Sequence, residues 1–326
     1  MNVKMDRWRR ALRCATVVAS VALVACGGGE QVELFAPNRM IAFGDESTVI
    51  DDSASPANGR KYSVNGTVSA TDPALDCKQL PIWIQGVATP YGLVFPQCNA
   101  GTTVVASPTS RIRAVAGAKV ADLAGQIDGQ QAVSSFDSKD LVTVLIGQND
   151  VLAQYAQYPA VGDAQLVANV EAAGRALGDQ VNRIANAGAK VLISTIPDLG
   201  LTPFAIAERA SHADTDRAAL LSHLAARFNA TMRATIVNDG RRIGLVLLDE
   251  YIQSVVAVVN GGGFTNVVNV VCDTTKAPTL PECTSLTLVS GGSASTWLWA
   301  DTTHLSSGGQ QALGSLASQR AANNPF

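Results

Sequence analysis

Residues 141–150 read Leu-Val-Thr-Val-Leu-Ile-Gly-Gln-Asn-Asp, an apolar run that stops at a glycine and continues in polar residues. The run from Leu141 to Ile146 does not alternate between apolar and polar residues, which is typical of a parallel strand covered on both faces. Similar runs are Met40 to Phe43, Lys190 to Thr195 and Ile243 to Leu248. We therefore predict four buried strands.

Helical patterns separate these strands. Between Gln165 and Ala187 apolar residues recur every three or four positions, and a second such stripe runs from Leu221 to Ile236. Alternating strands and helices indicate an α/β fold, predicted here as a three-layer α/β/α sandwich with a mostly parallel central sheet. In such sheets ligands bind beyond the carboxyl ends of the strands, so we expect functional residues just after each strand.

The composition is that of a folded globular protein. The chain has 326 residues, of which 47% are hydrophobic and 16% are charged, and this length is compatible with one α/β domain. The formal net charge of −3 gives no basic surface for phosphates, so we exclude nucleic acid as a partner.

The N-terminus has the pattern of an export signal. Five cationic residues between Lys4 and Arg13 precede an apolar run from Cys14 to Ala25, which is too short to span a bilayer as a helix. The tetrapeptide that ends at Cys26 resembles the lipobox of bacterial lipoproteins, in which the signal is removed and the cysteine is acylated. We predict a signal peptide at 1–25, a lipid anchor at Cys26 and a location in the bacterial cell envelope; an ordinary signal peptide is the alternative.

The predicted mature chain begins with a lipidated cysteine and a flexible tether over residues 26–38, followed by one domain over 39–326. Stretches rich in Gly, Pro, Asn and Ser near 52–110 and 260–295 are predicted to be insertions on the sheet. They hold the four remaining cysteines, and export together with an even count favours disulfides. Three pairings are formally possible, and we favour the local pairs Cys77 with Cys98 and Cys272 with Cys283, each of which closes a loop in a Pro-containing stretch. A metal site is the alternative, but no Cys-x-x-Cys pair or histidine cluster accompanies these cysteines.

Polar residues follow the first two strands. Gly44-Asp45-Glu46-Ser47 after the first strand fits either a sharp turn that presents a hydroxyl nucleophile or a plain helix cap. After the second, the Asn149 amide could donate to a developing oxyanion while Asp150 fixes the turn, with an Asx turn as the alternative. Upstream, Gly117 offers a backbone N–H where substrate can approach closely.

A general base is expected near the C-terminus. The chain has three histidines, of which His212 and His223 lie in a polar helical stretch and are predicted to be surface residues. His304 differs because Asp301, three residues earlier, can hold its Nδ1 and leave Nε2 facing a hydroxyl.

Taken in order, the blocks at Gly44-Asp45-x-Ser47, Gly117, Gly147-x-Asn149-Asp150 and Asp301-x-x-His304 resemble those of the GDSL, or SGNH, family of esterases and lipases, whose fold is the predicted sandwich. The resemblance implies a catalytic Ser47 with His304 as base and Asp301 as its orienter. It also implies an oxyanion hole formed by the N–H groups of Ser47 and Gly117 and by the Asn149 amide. It implies no metal or organic cofactor.

The nucleophile block departs from the family pattern. The family has Ser directly after Gly-Asp, whereas here Glu46 stands there and Ser47 follows. Either the turn absorbs one extra residue so that Ser47 reaches the usual point, which we favour, or Glu46 occupies the elbow and the hydroxyl is lost. A carboxylate nucleophile is also conceivable, but with an ester it would form an anhydride.

These features predict a lipid-anchored serine esterase or lipase that cleaves carboxylic esters through an acyl-enzyme. Acyl esters, lipids and acetylated glycans all remain candidate substrates. The alternatives are a polysaccharide O-deacetylase and, because of Glu46, a catalytically silent lipoprotein that binds a lipid or a glycan. Six aromatic residues could line an acyl pocket or belong to the core: Trp83, Tyr91, Phe95, Phe264, Trp297 and Trp299.

Overall fold

Five parallel strands form the central sheet. The computed structural model describes residues 35–52, 57–237, 240–258 and 261–323. Neighbouring strands of the sheet follow the order β4-β1-β5-β6-β7, and each neighbouring pair is parallel. The strands of the described chain are β1 (Arg39–Gly44), β2 (Ile50–Asp51), β3 (Arg60–Lys61), β4 (Arg111–Ile112), β5 (Asp140–Leu145), β6 (Lys190–Ser194), β7 (Ile243–Val246), β8 (Asn266–Val270) and β9 (Trp297–Trp299).

The four predicted strands are β1, β5, β6 and β7, and the predicted α/β class is confirmed. The edge strand β4 was not predicted, because its two residues are only half-buried and do not form an apolar run. All six residues of β5 are buried, since helices cover both faces of the sheet.

Helices form the two outer layers. On one face α2, α4 and α6 pack side by side, and α1 packs against α8 on the other. No helix in the described part of the chain is long and apolar enough to cross a bilayer. The helices are α1 (Trp83–Ala88), α2 (Val120–Gln131), α3 (Gln148–Tyr155), α4 (Asp163–Asn186), α5 (Pro203–Ser211), α6 (Arg217–Thr235), α7 (Leu248–Ala257) and α8 (Ser307–Ala322).

The two predicted disulfides are confirmed. Cys77 is bonded to Cys98 and Cys272 to Cys283, with Cα atoms 5.7 and 5.8 Å apart. The second disulfide belongs to a small separate core. A hydrogen bond from the Ser285 N–H to the Asn65 carbonyl joins the two cysteine-containing stretches.

The stretch near 52–110 is not an insertion throughout. It contains α1, which is part of a helix layer: the Trp83 N–H donates to the Gln310 side chain of α8, and Gly86 lies against Gly314. Because α1 has only six residues, it has little effect on the composition of the whole stretch, and the composition therefore did not indicate a helix.

The predicted signal peptide and the predicted lipid attachment at Cys26 lie outside the described residues.

Candidate active site

The polar blocks converge at the carboxyl ends of the central strands, as expected for this sheet type. Glu46 follows β1, Gly117 follows β4, Asn149 follows β5, and His304 lies in the loop before α8. Hydrogen bonds link side chains or backbone groups of all four segments.

The turn after β1 decides which side chain enters this site. Gly44 has φ of +145°, and a Cβ there would overlap the carbonyl oxygen of Leu145, so the position requires glycine. Asp45 then caps a short 3₁₀ helix by accepting from the Ser47 N–H at 3.0 Å. The helix begins directly after the cap, and Glu46 is its first residue.

The Glu46 carboxylate fills the position that the resemblance assigns to the oxyanion. Its Oε2 accepts from the Gly117 N–H at 2.7 Å and from the Asn149 side-chain amide at 3.0 Å. Its Oε1 lies 3.1 Å from His304 Nε2. Glu46 is 7% exposed, so a buried carboxylate binds two of the three predicted oxyanion donors and the predicted base. The third predicted donor, the Ser47 N–H, is bound by Asp45 instead.

His304 and Asp301 form the expected pair. The imidazole Nδ1 lies 2.9 Å from each oxygen of the Asp301 carboxylate, and the His304 N–H donates to Asp301 Oδ1 at 2.7 Å. The Asp301 carboxylate therefore fixes both the ring and the turn that carries it, and Nε2 points at Glu46.

Ser47 is not the residue that reaches His304 Nε2. Its N–H donates to Asp45 Oδ1, its hydroxyl also hydrogen-bonds to the Asp45 carboxylate, and the residue is half-buried beside the turn. In a 3₁₀ helix adjacent side chains diverge by about 120°, so Glu46 and Ser47 cannot point the same way. Of the two readings of the block, the structure has Glu46 at the elbow; a catalytic role of Ser47 stays a prediction.

The protonation states follow from these contacts. Burial by itself raises the pKa of Glu46, but hydrogen bonds from His304, the Gly117 N–H and Asn149 outweigh it and lower that pKa to about 2. Burial lowers the pKa of His304, yet its hydrogen bonds to Asp301 and Glu46 raise it to about 10. Glu46 and His304 therefore form an ion pair at neutral pH.

The pKa values of two neighbouring carboxyl groups, Asp45 and Asp301, shift in opposite directions. Burial, followed by the nearby Glu46 charge, raises the pKa of Asp45 to about 7. Burial raises the pKa of Asp301, but its hydrogen bond with His304 outweighs this and holds the pKa below its ordinary value.

Three supporting contacts were missed from the sequence. The Asp150 carboxylate, which was expected to fix its own turn, accepts the Val120 N–H at the start of α2. Gln126 exchanges two hydrogen bonds with the Gly44 backbone, and the Gln148 amide donates to the Thr303 carbonyl. These pairs are 30 to 155 residues apart along the chain, so no local spacing signals them.

The remaining candidates take structural positions. His212 and His223 are exposed, as predicted. Four of the six aromatic candidates lie in the buried core, and Tyr91 and Trp297 are partly buried against it. Within the described residues no three His, Cys, Asp or Glu side chains gather in a way that could hold a metal ion.

Comparison with known families decides the family. A family model described as GDSL-like Lipase/Acylhydrolase matches residues 104–317, which is more than half of the chain. The chain belongs to this family. The matched range includes Gly117, Asn149, Asp301 and His304 but not the block at residues 44–47, so membership of the GDSL family does not itself supply a nucleophile.

Three solved structures are similar to this GDSL-family chain but share little sequence with it. Axe2, an acetylxylan esterase from Geobacillus stearothermophilus, is 12% identical with a TM-score of 0.45, over 90% of this chain and 99% of that one. The lipase Lip_vut3 from a goat rumen metagenome is 10% identical with a TM-score of 0.48, over 88% and 99%. A lipolytic G-D-S-L family protein from Veillonella parvula DSM 2008 is 11% identical with a TM-score of 0.41, over 87% and 95%. No curated protein matches the chain.

Proposed function

We propose that this GDSL-family protein binds an acyl-bearing ligand, a lipid or an acylated glycan, without cleaving it by serine chemistry. The observation that carries the proposal is the Glu46 carboxylate, which occupies the oxyanion donors Gly117 and Asn149 and pairs with His304. The protein would keep the family's cleft and lack its nucleophile.

Three consequences of this contact oppose ester hydrolysis. The residue that faces His304 has no hydroxyl, so no acyl-serine intermediate forms at this position. The donors that would stabilise a substrate oxyanion are already bound to Glu46. With its pKa raised to about 10, His304 is protonated at neutral pH and cannot accept the proton of a nucleophile.

Glu46 is also a poor substitute for the serine. A carboxylate whose pKa is lowered to about 2 is weakly basic and weakly nucleophilic. Attack by Glu46 on an ester carbonyl would release the alcohol and leave a mixed anhydride on Glu46. The attacking carboxylate would also lose its hydrogen bonds to Gly117, Asn149 and His304.

A location in the cell envelope, which the N-terminal sequence predicts, would bring the protein close to lipids and glycans. The basic N-terminus, the apolar run and Cys26 have the pattern of a lipoprotein signal. We propose that acylation of Cys26 anchors the protein to the membrane, with the domain facing the envelope space.

Ester hydrolysis through Ser47 is the second candidate function. The observation that favours it is the intact His304 and Asp301 pair beside Gly117 and Asn149, which is the arrangement that serine hydrolysis uses. For this function the turn after Asp45 must rearrange so that the Ser47 hydroxyl replaces the Glu46 carboxylate at His304. An esterase, a lipase and a polysaccharide O-deacetylase would share this step.

Labelling with a fluorophosphonate separates the two candidates, because the reagent bonds to an activated serine whatever the acyl preference. The proteins compared by intact mass are the parent, Ser47→Ala and His304→Ala. The silent site predicts no adduct on any of the three, with circular dichroism confirming that the parent is folded. An adduct on the parent that is lost in both variants would establish Ser47 as the nucleophile and refute the proposal. Acetate release compared with long-chain release would then distinguish a deacetylase from a lipase.

A further inference from the structure

A cavity of about 520 Å³ opens beside the Glu46 site. It lies between the segment that continues β4 and the helix α2, and Gly117 belongs to its wall. It is an open groove, because most of its lining residues, among them Val115, Gly125 and Gly129, are exposed, and its volume lies in the range of small-molecule sites. Because Gly117 donates to Glu46, the cavity adjoins the family's reaction centre.

The segment and the helix run in opposite directions, which gives the cavity two different ends. Near Gly117 the wall includes Asp122, whose carboxylate accepts the Lys119 N–H at the start of α2. At the far end Arg113 donates through Nε to Gln130, near the end of α2. Along α2, the seven-residue separation between Asp122 and Gly129 spans about 10 Å.

Arg113 is available to an anion. Its described hydrogen bond uses Nε, and within the described residues no carboxylate forms an ion pair with its two Nη groups. A guanidinium that is held by one nitrogen and open at the others can bind a carboxylate in bidentate fashion. The opposite charge, Asp122, lies at the other end of α2 and is already hydrogen-bonded to Lys119 N–H.

Between the two ends, the wall is formed mainly by small or apolar residues. Val115, Ala116 and Ala118 line one side, and Gly125 and Gly129 line the helix side. Nothing lies within 4 Å of the position that a Cβ would take at either glycine, so the space over the helix is open. An alkyl chain fits such a wall, because burying it removes apolar surface from water.

We propose that this cavity binds an amphiphilic anion, a medium-chain fatty acid anion, with its carboxylate on Arg113 and its alkyl chain over Gly129 and Gly125. The proposal deepens the proposed function, since it names the acyl class that the cleft would hold. It is independent of whether Ser47 or Glu46 faces His304.

Calorimetric titration of the full protein with octanoate, octanol and acetate tests the proposal. We expect octanoate to bind and octanol and acetate to bind at least about tenfold more weakly, because each lacks the charge or the chain. Arg113→Gln should weaken octanoate about tenfold or more and leave octanol unchanged. Arg175→Gln on α4, at an exposed arginine away from the cavity, should leave octanoate binding as it is.

Gly125→Leu tests the path of the chain. The new side chain enters open space and improves helix propensity, so the variant should fold and yet lose octanoate binding. Ala121→Leu, at an exposed position of α2 outside the cavity, is the matched control and should bind like the parent.

No octanoate binding by the folded parent, equal binding of octanol, or unchanged affinity in Arg113→Gln would each overturn the proposal. None of these ligands contains an ester, so this test can fail while the site proves silent, and it can succeed while fluorophosphonate labels Ser47.

Discussion

Replacing Glu46 with serine should convert this site into an esterase. Glu46 Oε2, bound by Gly117 and Asn149, marks the place where the oxygen of a tetrahedral intermediate would lie. A serine side chain is shorter, so Glu46→Ser frees this place for substrate and supplies a hydroxyl at the start of the turn. It also removes one of the two carboxylates that raise the pKa of His304, so that the imidazole becomes a base at lower pH.

The expected gain can be worked from these contacts. One oxyanion donor is worth about 10² to 10³ in rate, and both donors become available. A histidine whose pKa is about 10 is neutral only about one time in a hundred at pH 8, and removal of Glu46 relieves part of this handicap. Because the geometry has not been optimised for serine, we expect a gain of roughly 10³-fold in kcat/KM, which is less than the product of the effects of the two donors and of the histidine.

The assay is the initial rate of p-nitrophenyl acetate and p-nitrophenyl octanoate hydrolysis, with fluorophosphonate labelling in parallel. Two controls isolate the hydroxyl. Glu46→Gln removes the charge without adding a nucleophile, and Glu46→Ser combined with His304→Ala removes the base; both should stay at the parent rate. The reasoning is refuted if folded Glu46→Ser gives no increase over the parent, or if Glu46→Gln is activated as much as Glu46→Ser.

Three further predictions concern stability. The Glu46 and His304 ion pair should stabilise the fold most between pH 4.5 and 6.5: its contribution falls as pH drops from 4.5 towards 2, where Glu46 becomes protonated, and as pH rises from 6.5 towards 10, where His304 loses its proton. Urea unfolding of the parent and Glu46→Gln across this range checks it, and parallel pH profiles would contradict it. Lys61→Met should lower the free energy of unfolding by about 3 kcal/mol or more, because the buried Lys61 Nζ, whose pKa burial lowers to about 7, donates to the carbonyls of residues 77, 79 and 80, which would be left unsatisfied. A melting temperature equal to the parent's would exclude this. Gly44→Ala should cost about 3 kcal/mol or more through its positive φ and the Leu145 carbonyl, whereas Gly129→Ala in open space on α2 should be neutral or stabilising by up to about 1 kcal/mol; equal melting temperatures of the two variants would show that Gly44 is not constrained.

Much of the site could be predicted because its residues are spaced closely within blocks. The three-residue separation of Asp301 and His304 is enough to predict their contact, which the structure has at 2.9 Å. The carboxyl ends of β1 and β5 are neighbours in a parallel sheet, which is why blocks 103 residues apart were expected to meet.

The nucleophile block could not be settled in the same way. Whether the turn after Gly44 absorbs a residue depends on where the 3₁₀ helix begins, and the Asp45 cap decides this through the Ser47 N–H. A shift of one residue in such a helix changes the direction of a side chain by about 120°. The start of the helix therefore decides whether Glu46 or Ser47 faces His304.

By itself the sequence determined the parallel sheet and the family and favoured the observed pairing of the cysteines, because apolar runs, motif order and short cysteine separations are properties of local sequence. Only the tertiary structure decided what the retained motif residues bind. The partners of Glu46 lie 71, 103 and 258 residues away, and three-dimensional packing alone brings the Gly117 N–H, the Asn149 amide and the His304 ring onto one carboxylate. The same reason applies to the cavity beside Gly117, whose walls come from two segments running in opposite directions.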